Sequence, residues 1–400
     1  MLAFTFPGQG SQKPGMGSAW VDHPSWELVE EASDACGRDV GALLLDANAD
    51  ELKHTRNSQL STFVLSMVVL DAVERTGLSS DMAAGHSLGE YSALCATGAL
   101  AYEDAVRLVA ERGEAMQIAA EEQDGTMAAI LGLDDDLVGT ACARVDGDVW
   151  VANYNAPGQV VIAGSPAAVA DAGVVAKELG AKRAMVLPVG GAFHTPFMAP
   201  ARDRLRKALS EIDFRDPAVP VLANVDGQPR TGSEEWQSLL AAGLCSPVQW
   251  RQTLYGLASA GIETFVELGP GTVLTGMAKR TNKGAGTLSL SAPADVDGLM
   301  AAVAELAGNA GPVLPTNAAD HIANGENLYV TERLVVSPGA GIFTPRTDIE
   351  VGHILAVGDT VGTVGSEDVR SPFAGALMGV MALHGERVTP RQPIAWLRTQ

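Results

Sequence analysis

Gly85-His86-Ser87-Leu88-Gly89 reads Gly-x-Ser-x-Gly. This is the pattern of a nucleophile elbow, in which a serine projects its hydroxyl from a sharp strand-to-helix turn. The glycines keep side chains out of the turn. A helix starting just after the serine aims its free N–H groups at the position where an oxyanion would form. In a chain with 44 glycines the pattern also arises by chance, so a base must be found elsewhere. His194 has the right setting: it follows Gly190-Gly191, and Thr195-Pro196 after it has the form of a helix cap and first helical position. Arg112 is the third chemical residue. It falls on the apolar stripe Ala105, Leu108, Val109, Met116, Ala119 of a helix predicted over Tyr102 to Glu121. A guanidinium on such a face needs an anion, either from a structural carboxylate or from a substrate.

The elements that position these residues follow an α/β pattern. Leu2–Phe6 and Met82–Ala84 read as short buried strands, and helical periodicity runs from Trp26 to Cys36 and from Leu60 to Thr76. The glycine-rich loop Pro7 to Gly17 lacks both Rossmann and Walker spacing, so it does not read as a nucleotide loop. A backbone N–H supplied to a reaction centre suits it better. From Gly125 the order changes to strand (Met127–Leu133), helix (Asp134–Val145), strands (Val149–Asn155 and Gln159–Gly164), helix (Pro166–Leu179) and strand (Lys182–Val189). That βαββαβ order predicts a ferredoxin-like subdomain over 125–189, inserted into a larger unit made of 1–124 and 190–305. Thr264–Leu268 reads as a further strand of the larger unit, followed by a helix over Thr272 to Lys279.

Composition narrows the function. With 46% hydrophobic and 19% charged residues, the 400-residue chain is globular. The net charge of −21 argues against nucleic acid and anionic membranes as partners. Nearly all of it falls on residues 1–325, because 326–400 carry six Lys and Arg against eight Asp and Glu. Cys36, Cys95, Cys142 and Cys245 are scattered without metal-ligand spacing, so no metal site is expected and reduced thiols are. With no basic leader and no long apolar run, a cytoplasmic protein is expected.

Seven stretches in order resemble the malonyl-CoA:acyl carrier protein transacylase family over residues 1–305. They are Phe6 to Gln12, Gly85 to Leu94, Arg112 in its helix, Ala152 to Gln159, Phe193-His194, Pro247-Val248-Gln249-Trp250 and Glu267 to Gly271. The resemblance implies a hydrolase-like acyltransferase core with a parallel sheet, and malonyl transfer from malonyl-CoA to a phosphopantetheinyl acyl carrier protein through a serine ester, in fatty acid biosynthesis, with no bound cofactor. It implies Ser87 as nucleophile, His194 as base, and the N–H groups of Gln9 and Leu88 as the oxyanion hole. The carbonyl of Gln249 would orient the imidazole and Arg112 would bind the malonyl carboxylate. Phe193 would narrow the pocket against a branched α-carbon, with His86 and Gln59 as further pocket residues. Lys182, Arg183, Lys279 and Arg280 lie near elements resembling the family's cleft rim and form the expected basic patch for an acidic carrier. A polyketide-pathway acyltransferase and a thioesterase or other hydrolase using the same Ser–His pair are the competing readings.

Residues 306–325, rich in Ala, Asn, Gly and Pro, read as a linker. Beyond it Ser337-Pro338-Gly339-Ala340-Gly341 recurs as Ser371-Pro372-Phe373-Ala374-Gly375, and Gly358-Asp359-Thr360-Val361 as Gly385-Glu386-Arg387-Val388. Two copies of short strands with glycine turns predict a small all-β, barrel-sandwich-like domain over 326–400. It loosely resembles the biotinyl/lipoyl carrier domain. That domain's modified lysine should lie near Gly365 to Asp368, yet no lysine occurs after Lys283. A docking or packing module for a protein partner is therefore expected rather than a swinging arm.

Overall fold

The computed structural model describes residues 1–309, 332–385, 387–388 and 392–398. The chain divides into two units, Met1–Ala307 and Gly308–Gln400. Most of the predicted linker, from residue 310 to 325, lies outside the described residues; its first four residues end the helix Ala294–Asn309.

The strands of the first unit are β1 (Leu2–Phe6), β2 (Met82–Gly85), β3 (Thr126–Leu131), β4 (Val149–Ala156), β5 (Gln159–Gly164), β6 (Arg183–Val186), β7 (Val221–Leu222), β8 (Pro229–Arg230), β9 (Thr264–Leu268) and β10 (Gly286–Leu290). The larger sheet has the order β10-β9-β1-β2-β7-β8. Its strands run parallel except for the β7–β8 pair. Strands buried on both faces read as apolar runs rather than alternations. Thus β1 (LAFTF) and β9 (TFVEL) are buried almost throughout. The helix Thr55–Glu74 begins one turn before the periodicity suggests, because its first turn is polar yet packed: Thr55, Ser58 and Gln59 are all buried.

β3 to β6 form a separate antiparallel sheet of order β4-β5-β3-β6, backed by the helices Asp135–Ala143 and Pro166–Glu178. This is the ferredoxin-like order. Its last strand is shorter than the predicted Lys182–Val189 and stops at Val186. Leu187 and Val189 instead turn toward the cleft described below. Two features tie this subdomain to the larger one. Tyr154 N–H donates to the Val248 carbonyl at 2.9 Å, and Val248 N–H to that of Ala152 at 2.9 Å.

In the second unit the strands are β11 (Glu332–Val336), β12 (Gly341–Pro345), β13 (Ile354–Leu355), β14 (Thr360–Val364), β15 (Glu367–Arg370), β16 (Gly375–Val380), β17 (Arg387–Val388) and β18 (Pro393–Arg398). They make two antiparallel sheets, β11-β18-β16-β13 and β15-β14-β12-β17. Exchanging β11 with β15, β12 with β16, β13 with β17 and β14 with β18 converts one order into the other, so Arg387-Val388 corresponds to Ile354-Leu355 and not to Thr360-Val361 as the second glycine repeat suggests. The repeated serines act alike: Ser337 Oγ donates to the Gly339 carbonyl at 2.6 Å and Ser371 Oγ to that of Phe373 at 2.7 Å. Val335, Phe343, Val361, Val369, Leu377 and Leu397 lie in its core. β14 and β15 are joined by the two-residue turn Gly365-Ser366, where Gly365 takes φ 60°.

Candidate active site

The elbow is built by close approach at its glycines. A Cβ on Gly85 would lie 1.8 Å from the Gly89 carbonyl carbon, and one on Gly89 would lie 2.0 Å from the Phe6 carbonyl oxygen. No side chain fits at either place, so β2 can turn straight into the helix Gly89–Ala96 beside the end of β1. Ser87 pays for this with φ 54°. The only other non-glycine with positive φ among the described residues is His194, at 61°. Backbone strain of this kind costs about 1–3 kcal/mol and persists where the surroundings hold it in place.

These two strained residues face each other. Ser87 Oγ lies 2.8 Å from His194 Nε2. His194 Nδ1 lies 2.7 Å from the Gly243 carbonyl oxygen. A carbonyl only accepts, so Nδ1 carries the proton and Nε2 is left as the acceptor for the serine hydroxyl. Burial, then the nearby Arg112 charge, push the His194 pKa down to about 3, against the opposing pull of the Gly243 carbonyl. The imidazole is therefore a neutral base at ordinary pH.

The orienting carbonyl is that of Gly243, not Gln249 as the family pattern suggested. Gln249 opens the helix Trp250–Ser259. Its carbonyl accepts from Thr253 N–H at 2.9 Å, so it serves that helix instead. Gly243 ends the helix Trp236–Gly243, where carbonyls lack intrahelical donors and are available to the imidazole. No side-chain pattern marks such a carbonyl, which is why sequence reasoning missed it.

Arg112 is 2% exposed. Its Nη1 donates to Gln59 Oε1 at 2.5 Å and its Nη2 to Ser87 Oγ at 3.0 Å. The guanidinium sits 5.5 Å from the centre of the Tyr91 ring, and its Nε has no partner among the described residues. Burial pulls its pKa down, which Tyr91 and Glu90 oppose. Both side-chain acceptors on Arg112, the Gln59 amide and the Ser87 hydroxyl, are neutral. The structural ion pair is thus not what holds this arginine.

A cleft of about 240 Å³ lies between the larger subdomain and the inserted one. Gln9, Gln59, His86, Ser87, Arg112, Phe193 and His194 all line it. Among the described residues the N–H groups of Gln9 and Leu88 donate to no other group of the protein, as an oxyanion hole requires. His86 lines the wall with Nε2 at 2.8 Å from Asn155 Oδ1 and its ring edge-on to Trp250. Burial lowers its pKa. The four basic residues are exposed. Arg280 Nη1 donates to Gln159 Oε1 at 2.8 Å, and Gln159 itself lines the cleft. Across the small sheet Leu131 pairs with Gln159 on one side and Arg183 on the other, which puts Lys182 and Arg183 on the same rim.

A family model described as the acyl transferase domain matches residues 3–312. The malonyl CoA-acyl carrier protein transacylase of Bacillus subtilis is 40% identical over 301 residues, which cover 74% of this chain and 95% of that protein. An acyl carrier protein S-malonyltransferase from Vibrio cholerae has a solved structure that superposes with a TM-score of 0.72 at 39% identity, covering 74% of this chain and 99% of the other. A malonyl-transacylase solved in complex with its type II polyketide acyl carrier protein superposes with the same score at 38% identity, covering 74% and 97%. The strands of the second unit, from Glu332 onward, lie beyond the matched family model. On its geometry and its relatives, the chain belongs to the acyl transferase family and, within it, to the malonyl-CoA:acyl carrier protein transacylases.

Proposed function

We propose that this protein moves the malonyl group from malonyl-CoA to the phosphopantetheine thiol of an acyl carrier protein, in fatty acid biosynthesis, through an ester on Ser87. The observation that carries the reading is Arg112: a buried guanidinium, held by neutral groups and next to the serine hydroxyl, whose anion the substrate would supply. Relatives with these names support the substrates, and the complex with a polyketide carrier supports a second pathway for the same chemistry.

In this reading Ser87 Oγ attacks the thioester carbonyl while His194 Nε2 takes the hydroxyl proton. The tetrahedral oxyanion receives the Gln9 and Leu88 N–H groups, worth roughly 3 kcal/mol each. The C–S bond breaks, and the leaving thiolate takes the proton from His194. The carrier thiol then gives its proton to Nε2 and attacks the ester, and Ser87 leaves and recovers that proton. Arg112 binds the malonyl carboxylate, which offsets the positive charge that holds His194 down and makes the imidazole more basic once substrate is in place. Phe193 sets the pocket's width.

Transfer and hydrolysis differ only in what reaches the ester. With malonyl-CoA and a phosphopantetheinyl carrier, malonyl-carrier should form much faster than free malonate appears. Free malonate as the faster product would make the protein a hydrolase. A chain ending near residue 310 should give the same ratio, because the site residues all lie in the first unit. The second unit, without a lysine to modify, is read as a module for a protein partner.

Carrier docking is assigned to the rim formed by Lys182, Arg183, Lys279 and Arg280. Reversing two of these charges should raise the carrier's KM about tenfold or more and leave malonyl-CoA loading within about twofold. Parallel losses in both half-reactions would make the patch part of the fold.

A further inference from the structure

Ser87 holds an unfavourable backbone conformation, and something must hold it there. The β2–β7 ladder pairs Ala83 with Val221 and Ala84 with Leu222, then stops. Beyond its last pair the side chain of Asn224 continues the ladder. Its Nδ2 donates to the Gly85 carbonyl at 2.7 Å, and its Oδ1 accepts the Ser87 N–H at 2.7 Å. The carboxamide thus clamps both sides of the elbow as a neighbouring peptide would. Its own backbone is fixed too: Asn224 N–H donates to Glu90 Oε1 at 2.8 Å, and its carbonyl accepts from Gln249 N–H at 2.7 Å. Asn224 and Glu90 are 3% and 4% exposed, so water does not substitute for these bonds.

We propose that Asn224, anchored by Glu90 and Gln249, is a positioning residue that holds Ser87 in its strained conformation and so aims Oγ at His194 Nε2 and the Leu88 N–H at the oxyanion. Asparagine suits the task because one planar group offers a donor and an acceptor side by side. An apolar residue leaves the Ser87 N–H and the Gly85 carbonyl buried and unpaired. An ionised aspartate keeps the acceptor but opposes Gly85 with a second one. Arg112, Gln59 and Phe193 sit on other elements, so substrate binding stands apart from this clamp. The proposal rests on the reading that Ser87 carries the acyl group.

The test is single-turnover loading of the full-length protein by malonyl-CoA, followed by intact mass. Asn224→Ala and Asn224→Asp should lower the saturating rate about a hundredfold at neutral pH and move the half-saturating concentration less than threefold. Protonated aspartate has the donor and acceptor of asparagine. The Asp variant should therefore regain at least tenfold relative to wild type as the pH is lowered from 8 to 5, and the Ala variant should not. Glu90, whose carboxyl burial pushes up to about 7, and Arg112 and Asp226 near it belong to the same surroundings. An aspartate at 224 would couple to Glu90, so the Asp variant is also compared with Asn224 on a Glu90→Gln background, where that carboxyl does not titrate. A folded Asn224→Ala protein that loads within threefold of wild type overturns the proposal, as does an Asp variant whose ratio to wild type is flat with pH. If Asn224→Ala does not fold, the Asp variant decides alone. A wild-type protein that acquires no adduct at Ser87 would instead refute the reading beneath it.

Discussion

Arg112→Ala should lower kcat/KM for malonyl-CoA loading by about two to four decades while acetyl-CoA loading holds or rises. Removing one partner of a desolvated ion pair costs roughly 3–5 kcal/mol, and each 1.36 kcal/mol is a factor of ten. In the free protein Arg112 leans on Gln59 and Ser87, so its loss leaves no buried carboxylate stranded in a salt bridge. The penalty should therefore appear only when the acyl group brings a carboxylate. Neutral acyl groups gain on a second count. The Arg112 charge is the second-largest cause of His194's depressed pKa, and its removal makes the imidazole a stronger base. Equal losses for malonyl-CoA and acetyl-CoA would make Arg112 a structural residue.

His194→Ala should slow loading by about two to four decades with little change in malonyl-CoA affinity, the usual scale for loss of a general base. Its pH dependence follows from burial. The competent form is the neutral imidazole, and its pKa is lowered to about 3, so that form persists well below the ordinary 6.5. The wild-type kcat/KM for loading should show no inflection from His194 at 6.5. An inflection near 7 would belong to the buried Glu90 and should vanish in Glu90→Gln. A near-normal rate in His194→Ala would remove it from the mechanism.

The side chains of Ser87, His194 and Arg112, which meet in the cleft, each sit in a pattern legible in the chain. The Gly-x-Ser-x-Gly spacing, the Gly-Gly-x-x-His loop and the inward arginine each leave a pattern that close approach, loop exposure or helical period imposes. The ferredoxin-like order was legible for the same reason, since alternating short strands and helices with turn residues between them are local signals. The segment 197–262 was not. β7 is only two residues long and carries no period. Gly243 acts through a carbonyl, which every residue has. Asn224 acts because the larger sheet brings it beside the elbow, 137 residues from Ser87 in the chain, and no local pattern records a partner that distant. Gln249, by contrast, lies in a recognisable motif, but its carbonyl serves the helix it opens. The second unit's repeat is visible in its two Ser-Pro turns, which the matching orders of its sheets account for, whereas the glycine repeat pairs β17 with β14 where the sheets pair it with β13.

The central claim is that Ser87 carries the malonyl group, and intact mass tests it most directly. Mixed with malonyl-CoA and no carrier, the wild-type protein should gain one malonyl mass, mapped to the peptide containing Ser87, and lose it when a phosphopantetheinyl carrier is added. Ser87→Ala should gain nothing under the same conditions. A malonyl adduct on Ser87→Ala, or a wild-type adduct that maps elsewhere and passes to the carrier, would contradict the account.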